Sequence, residues 1–182
     1  MRFEVTNVPD VILICPDVIR DSRGFFLESW QEKKFAAAGL NLRFVQDNHS
    51  RSSQYTLRGL HYQVNHTQGK LVRVVQGAVF DVAVDIRRSS PTFGQSVSVV
   101  LSEENHCMLW VPPGFAHGFM VLSATADFLY RCTEFWVPEN ERAIIWNDPD
   151  LNIAWPLPAN VTPMLSAKDA VAPSFHRAEC LP

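Results

Sequence analysis

A chain of 182 residues is about one domain's worth and can bury a core without metal or disulfide staples. Its 47% hydrophobic and 19% charged content excludes a disordered chain, and a formal net charge of −3 argues against a surface that coats nucleic acid. Any anion this protein binds must be caught by a local cluster of cations.

The first apolar run, residues 11–15 (VILIC), is too short to span a bilayer and follows acidic Glu4 and Asp10 rather than basic residues. Neither export nor a membrane anchor is expected, and the run reads as a strand. Residues 21–28 (DSRGFFLE) read as a turn into a strand over 25–30, where Arg23 is at its simplest a solvated turn charge. A helix is predicted over 31–38, ended by Gly39 as its C′ residue. Short apolar runs then predict strands over 43–47, 56–63, 71–76, 80–87, 95–101, 107–111, 118–122, 128–135 and 144–146. In the 80–87 strand, Phe80, Val82, Val84 and Ile86 face one way and Asp81, Ala83, Asp85 and Arg87 the other, the pattern of a half-buried strand. From Pro156 onward prolines and alanines dominate, predicting an irregular segment that folds back over the mouth of a barrel.

About ten strands with little helix and no solenoid-length repeat predict an all-β, antiparallel jelly-roll double sheet. No linker divides the chain, so one domain is expected, with a core over about 11–155 and the irregular segment over 156–182. The cysteines, Cys15, Cys107, Cys132 and Cys180, form no CxxC pair and are expected to be reduced thiols of a cytosolic protein.

Residues 56–77 (TLRGLHYQVNHTQGKLVRVVQG) set two histidines, two arginines and a lysine among strand residues, which asks for an anionic partner. A metal site is disfavoured, because His61 and His66 are five apart and Lys70 is a cation without a lone pair. An anionic ligand bearing a carbonyl fits the same groups, with imidazole as base and a cation steadying an enolate oxygen. A bulge at Gly59 would bring Arg58 and His61 to one cavity. Taken singly, His61, Tyr130 and His117 are also compatible with structural roles, and spacing does not choose which carboxylate orients a histidine base.

Together, the segments DSRGFFLESW, FVQDNHS, LRGLHYQ, QGKLVRVVQGAVFDVAVDIR, SPTFGQ, WVPPGFAHGF, FLYRCT, WNDPDLNIAWP and LSAKDA resemble, in order, the deoxysugar-nucleotide epimerases typified by dTDP-4-dehydrorhamnose 3,5-epimerase. The resemblance implies a cupin-type jelly roll, usually a homodimer in the cytoplasm, that uses neither metal nor organic cofactor and binds a dTDP-linked 4-keto-6-deoxyhexose. It also implies His61 as general base, Asp169 as its paired carboxylate, Tyr130 as acid on the opposite face of the sugar, and Lys70 as the group that polarises the 4-keto oxygen. Arg23, Phe26, Glu28, Gln46, Asp47, Asn48, Arg58, His117, Glu141 and Lys168 fall at positions that bind the nucleotide sugar in the family. Trp136 stands where typical members carry a tyrosine that stacks on thymine, and the loop from His61 to Lys70 is about one residue shorter than expected.

Overall fold

A computed structural model describes residues 1–182. In chain order the elements are β1 (Arg2–Val5), β2 (Ile12–Cys15), β3 (Val18–Asp21), β4 (Gly24–Leu27), α1 (Glu32–Ala37), β5 (Gln46–Ser53), β6 (Leu57–Gln63) and β7 (Lys70–Gln76). They continue as β8 (Ala78–Asp85), β9 (Ser96–Ser102), β10 (Met108–Val111), β11 (Phe115–Val121), β12 (Thr125–Cys132), β13 (Glu141–Ala143) and α2 (Ala167–Ala170). Two antiparallel sheets face each other, one in the order β1-β2-β10-β7-β12-β5 and the other β13-β6-β11-β8-β9, while β3 and β4 form a separate hairpin. This is the jelly-roll arrangement that the turn-punctuated apolar runs predict. No helix is long and apolar enough to cross a membrane.

The space between the sheets holds the largest core, built from Val72, Val74, Val79, Ala83, Phe119 and Phe128 among others. A second apolar layer covers the outer face of the five-stranded sheet, where Leu60, Val82, Val84 and Ile86 pack against Ile144, Leu151, Trp155 and Phe175. A third lies outside the six-stranded sheet, where α1 sets Phe35 over Ile14, Leu71 and Met108. Gln31 caps α1 by accepting from the Lys34 amide at 2.7 Å, and Gly39 follows with a φ of +84°.

The β8 strand corrects the half-buried reading, because both of its faces are buried. Val82 and Val84 point outward under the C-terminal segment, and Asp81 and Asp85, each 0% exposed, point inward. The inner carboxylates survive burial because each is bonded: Asp81 accepts from His117 at 3.0 Å, and Asp85 accepts from Arg87, Ser90 and Thr92 at 2.5–3.0 Å. Those bonds outweigh the cost of burial and hold the Asp85 carboxyl down at about 2.

Other differences have local causes. The strand predicted over 43–47 lies at Gln46–Ser53, whose sequence QDNHSRSS has no apolar alternation to read. The short pieces Arg2–Val5 and Val18–Asp21 are strands the sequence reading missed, and the strand predicted over 144–146 is displaced to Glu141–Ala143.

The cysteine expectation is also corrected. The β2–β10 register sets Ile14 opposite Met108, so Cys15 and Cys107 meet at the adjoining strand ends and are disulfide-bonded, leaving Cys132 and Cys180 free. The bridge spans 92 residues, a long loop whose release costs about 2–4 kcal/mol of stability. Reduction is expected to lower the melting temperature yet spare activity, since neither sulfur borders the cavity described below. Thiol titration of the denatured protein checks the pairing: two free thiols are expected, and four would refute it.

Candidate active site

A cavity of about 560 Å³ opens between the sheets. Its two walls carry different chemistry because they come from different sheets. From the five-stranded sheet, β6 supplies Arg58 and His61, and β11 supplies His117 and Phe119. From the six-stranded sheet, β5 supplies Gln46, Asn48 and Ser50, β7 supplies Lys70, and β12 supplies Phe128, Tyr130 and Cys132.

Arg58 and His61 are three apart, which in a regular strand would turn them to opposite faces. In the β6–β11 ladder, however, His61 pairs with His117 and Arg58 with Phe119, so three steps on β6 match two on β11. This extra residue turns both side chains to the cavity. Gly59 makes the irregularity possible: its φ is +116°, and a Cβ there would sit 2.7 Å from the Gly118 Cα.

His61 Nε2 lies 2.5 Å from Asp169 Oδ1. Asp169 sits in α2, which Ser166 caps, and the Ser166 hydroxyl donates to the second carboxylate oxygen at 2.7 Å. Although burial works to raise the Asp169 carboxyl, the His61 bond and charge, Ser166 and Lys168 outweigh it and hold the group below its ordinary value. The carboxylate is therefore ionised at neutral pH. It fixes the proton on Nε2 and leaves Nδ1 with the lone pair a base needs.

Tyr130 stands on the opposite wall. Burial, with Cys132 and Glu141 adding to it against Arg58, pushes its phenol above the ordinary range, so it stays protonated and able to donate. Lys70 pairs in register with Cys132 across β7 and β12. Burial pushes its ammonium down, opposed by Cys132, Glu141 and Asp81.

The charges facing the cavity are arranged to leave cations uncommitted. Lys168 Nζ donates to Glu141 at 2.7 Å, and His61 is held by Asp169. Neither Arg58 nor Lys70 has a carboxylate within ion-pair distance; the Arg58 Nε donates instead to Ser52 Oγ at 3.1 Å. An acidic protein thus presents two free positive charges to whatever enters.

Trp136, 50% exposed, lies at the cavity rim. Its backbone N–H donates to Gln46 Oε1 at 2.9 Å. The buried Gln63 grips both flanks of its loop, donating to the Phe135 carbonyl at 3.2 Å and accepting from the Val137 amide at 2.6 Å. The indole is therefore presented from a fixed backbone, ready to stack on a flat ring.

Of the residues singled out from sequence, His61, Lys70, Tyr130, Asp169, Gln46, Asn48, Arg58, His117, Trp136, Glu141 and Lys168 all border this cavity. Four do not. Asp47 is on the outer face of β5, between inward Gln46 and Asn48, and faces Arg131 at 3.6 Å, because strand side chains alternate. Arg23 and Phe26 lie on the β3–β4 hairpin, with Arg23 bound to Asp21 at 2.6 Å, and Glu28 just beyond it pairs with Lys34 at 2.8 Å. The hairpin stands away from its own chain's cavity.

Sequence reasoning missed Asp81, Ser166, Ser50 and Cys132. A signal existed for Ser166, since Ser followed three residues later by Asp is a helix-start pattern. His66 lies outside the cavity, and no group of three or more His, Cys, Asp or Glu side chains is placed to hold a metal ion.

Comparison with known proteins places this jelly roll among the cupin-type isomerases that act on sugars carried by a nucleotide. The chain belongs to the dTDP-4-dehydrorhamnose 3,5-epimerase family, whose profile matches residues 5–177. The enzyme of that name from Pseudomonas aeruginosa is 57% identical over the full length of both chains, and the one from Shigella flexneri is 53% identical over 98% of each. Among solved structures, the 3,5-epimerase of Legionella pneumophila in complex with dTDP-4-keto-L-rhamnose matches with a TM-score of 0.93 and 52% identity, covering 98% of this chain and 94% of that one. A 3′-monoepimerase from Streptomyces bikiniensis, in complex with dTDP-quinovose, matches with a TM-score of 0.89 at 32% identity, covering 96% and 88%.

Proposed function

We propose that this protein converts dTDP-4-dehydro-6-deoxy-D-glucose to dTDP-4-dehydro-L-rhamnose by inverting C3 and C5, a step toward dTDP-L-rhamnose. The observation that carries this reading is the carboxylate-held His61 on one wall, facing Tyr130 on the other, with an unpaired Lys70 bordering the same cavity.

The C4 carbonyl acidifies the hydrogens on both neighbouring carbons. His61 takes a proton from one of them, and the electron pair moves onto the C4 oxygen, where the Lys70 ammonium meets the developing charge. Asp169 stabilises the imidazolium that forms. Tyr130 returns a proton to the same carbon from the opposite wall, inverting the centre, and solvent then resets both groups. Repetition at the second carbon needs no new machinery.

Arg58 and Lys168 supply charge and His117 a hydrogen bond for the diphosphate, and Trp136 supplies the surface for thymine. The groups named so far sit in one domain. Arg23, Phe26 and Glu28 have a use if the protein is a homodimer in which the hairpin of one copy reaches the cavity of the other. The exposure of Ile19, Phe25 and Phe26, at 65%, 55% and 67%, supports that arrangement. The reaction calls for no metal or organic cofactor, and a cytoplasmic site of action fits the nucleotide-linked substrate.

The likeness to a 3′-monoepimerase favours a second reading, inversion at a single carbon by the same base and acid. Product formed in heavy water separates the two. NMR is expected to find solvent deuterium at both C3 and C5; deuterium at one carbon would establish the single-centre reaction, and none at either would refute epimerase activity.

A further inference from the structure

Strand β5 turns Gln46, Asn48, Ser50 and Ser52 inward at the period of two, and three of the four are committed. Gln46 donates to Asn48 at 3.0 Å and accepts from the Trp136 amide, Asn48 donates to Cys132 Sγ at 3.6 Å, and Ser52 accepts from Arg58. The Ser50 hydroxyl has no partner, although its oxygen is shut off from water. Ser50 nevertheless borders the cavity, opposite Phe128 in the β5–β12 ladder and one inward position beyond Asn48, which pairs with Tyr130. Tyr62 Oη, the other unpartnered buried hydroxyl, lies outside this cavity, beneath the C-terminal segment.

A buried hydroxyl without a partner destabilises the fold, and proteins rarely leave one so. Here the apolar neighbours offer nothing: Phe128 stacks on Phe119 with ring centres 4.2 Å apart. The cavity that Ser50 borders is the side from which a partner can come.

We infer that Ser50 is a further substrate-binding residue, whose hydroxyl bonds an oxygen of the hexosyl diphosphate when the nucleotide sugar enters. The inference rests on the functional reading above and adds a contact to it. The hydroxyl can give its proton to a diphosphate oxygen or to an oxygen of the hexose. The chemistry is the same, and the two sources differ in which ligands report the contact.

An unsatisfied hydroxyl gives Ser50→Ala opposite effects on fold and ligand. The variant is expected to melt no lower than the wild type, since removing the hydroxyl removes its desolvation cost, while binding dTDP-glucose about 3- to 10-fold more weakly by calorimetry. Weakening for dTDP-glucose alone assigns the contact to the hexose; equal weakening for dTDP assigns it to the diphosphate. Unchanged affinity for both ligands, in a variant whose wild type binds them, would overturn the inference and leave the functional reading intact. A wild type that binds neither ligand would overturn both.

Discussion

Replacement of His61 by alanine is expected to slow exchange of the C3 and C5 hydrogens with solvent by about 10²–10⁴-fold, the range for loss of a positioned general base. Both carbons should fail together, because in the proposed reaction a single imidazole serves them in turn. Affinity for dTDP should change little, since the groups proposed to hold phosphate and base lie on other residues that border the cavity: Arg58, His117, Lys168 and Trp136. The measurement is deuterium incorporation at each carbon under single turnover, with dTDP binding followed in parallel. A variant that exchanged at near the wild-type rate would remove His61 from the chemistry. Loss at one carbon alone would require a second base.

Lys70→Met is expected to lower kcat by about 10²–10³-fold, the scale set by removing one donor from a developing oxyanion. Methionine keeps the length and apolar stem while deleting the charge, so the loss measures electrostatics rather than shape. The same substitution should raise the melting temperature, because the half-buried Lys70 ammonium is desolvated with no carboxylate within ion-pair distance. Burial also sets the sign of a pH effect. A depressed lysine sheds its proton below the ordinary 10.5, so the alkaline limb of kcat/KM in the wild type should fall below that value. Full kcat in Lys70→Met, or an alkaline limb that persisted unchanged there, would assign the oxyanion's stabilisation to another group.

The sheet architecture was legible because turn residues separate short apolar runs, and β6, β7 and β10 lie close to where those runs stand. The polar strands were harder to read for a specific reason. A barrel that binds a charged sugar inside has a polar interior, so hydrophobicity no longer marks the inward face. QDNHSRSS carries three of the cavity's residues and no apolar pattern, and β8 hides its apolar side chains beneath the C-terminal segment. The site divides the same way. The juxtaposition of Arg58 and His61 follows from a glycine readable in LRGLHYQ, as a strand irregularity. Asp169 could be named only through resemblance, since 108 residues separate it from His61 and nothing local ties them. Cys15 and Cys107 were misread because their pairing depends on which strands adjoin, which spacing does not reveal.

The late position of Asp169 also orders events during biosynthesis. A ribosome making this protein finishes every strand of both sheets before the carboxylate of the proposed dyad exists, so the strands can pair while His61 still lacks its partner. The α2 turn carrying Asp169 is the last part of the His61 pair to leave the ribosome. Proteolytic clipping ahead of that turn would part the carboxylate from its imidazole and also take Phe175 and Ala178 from the apolar layer over the five-stranded sheet.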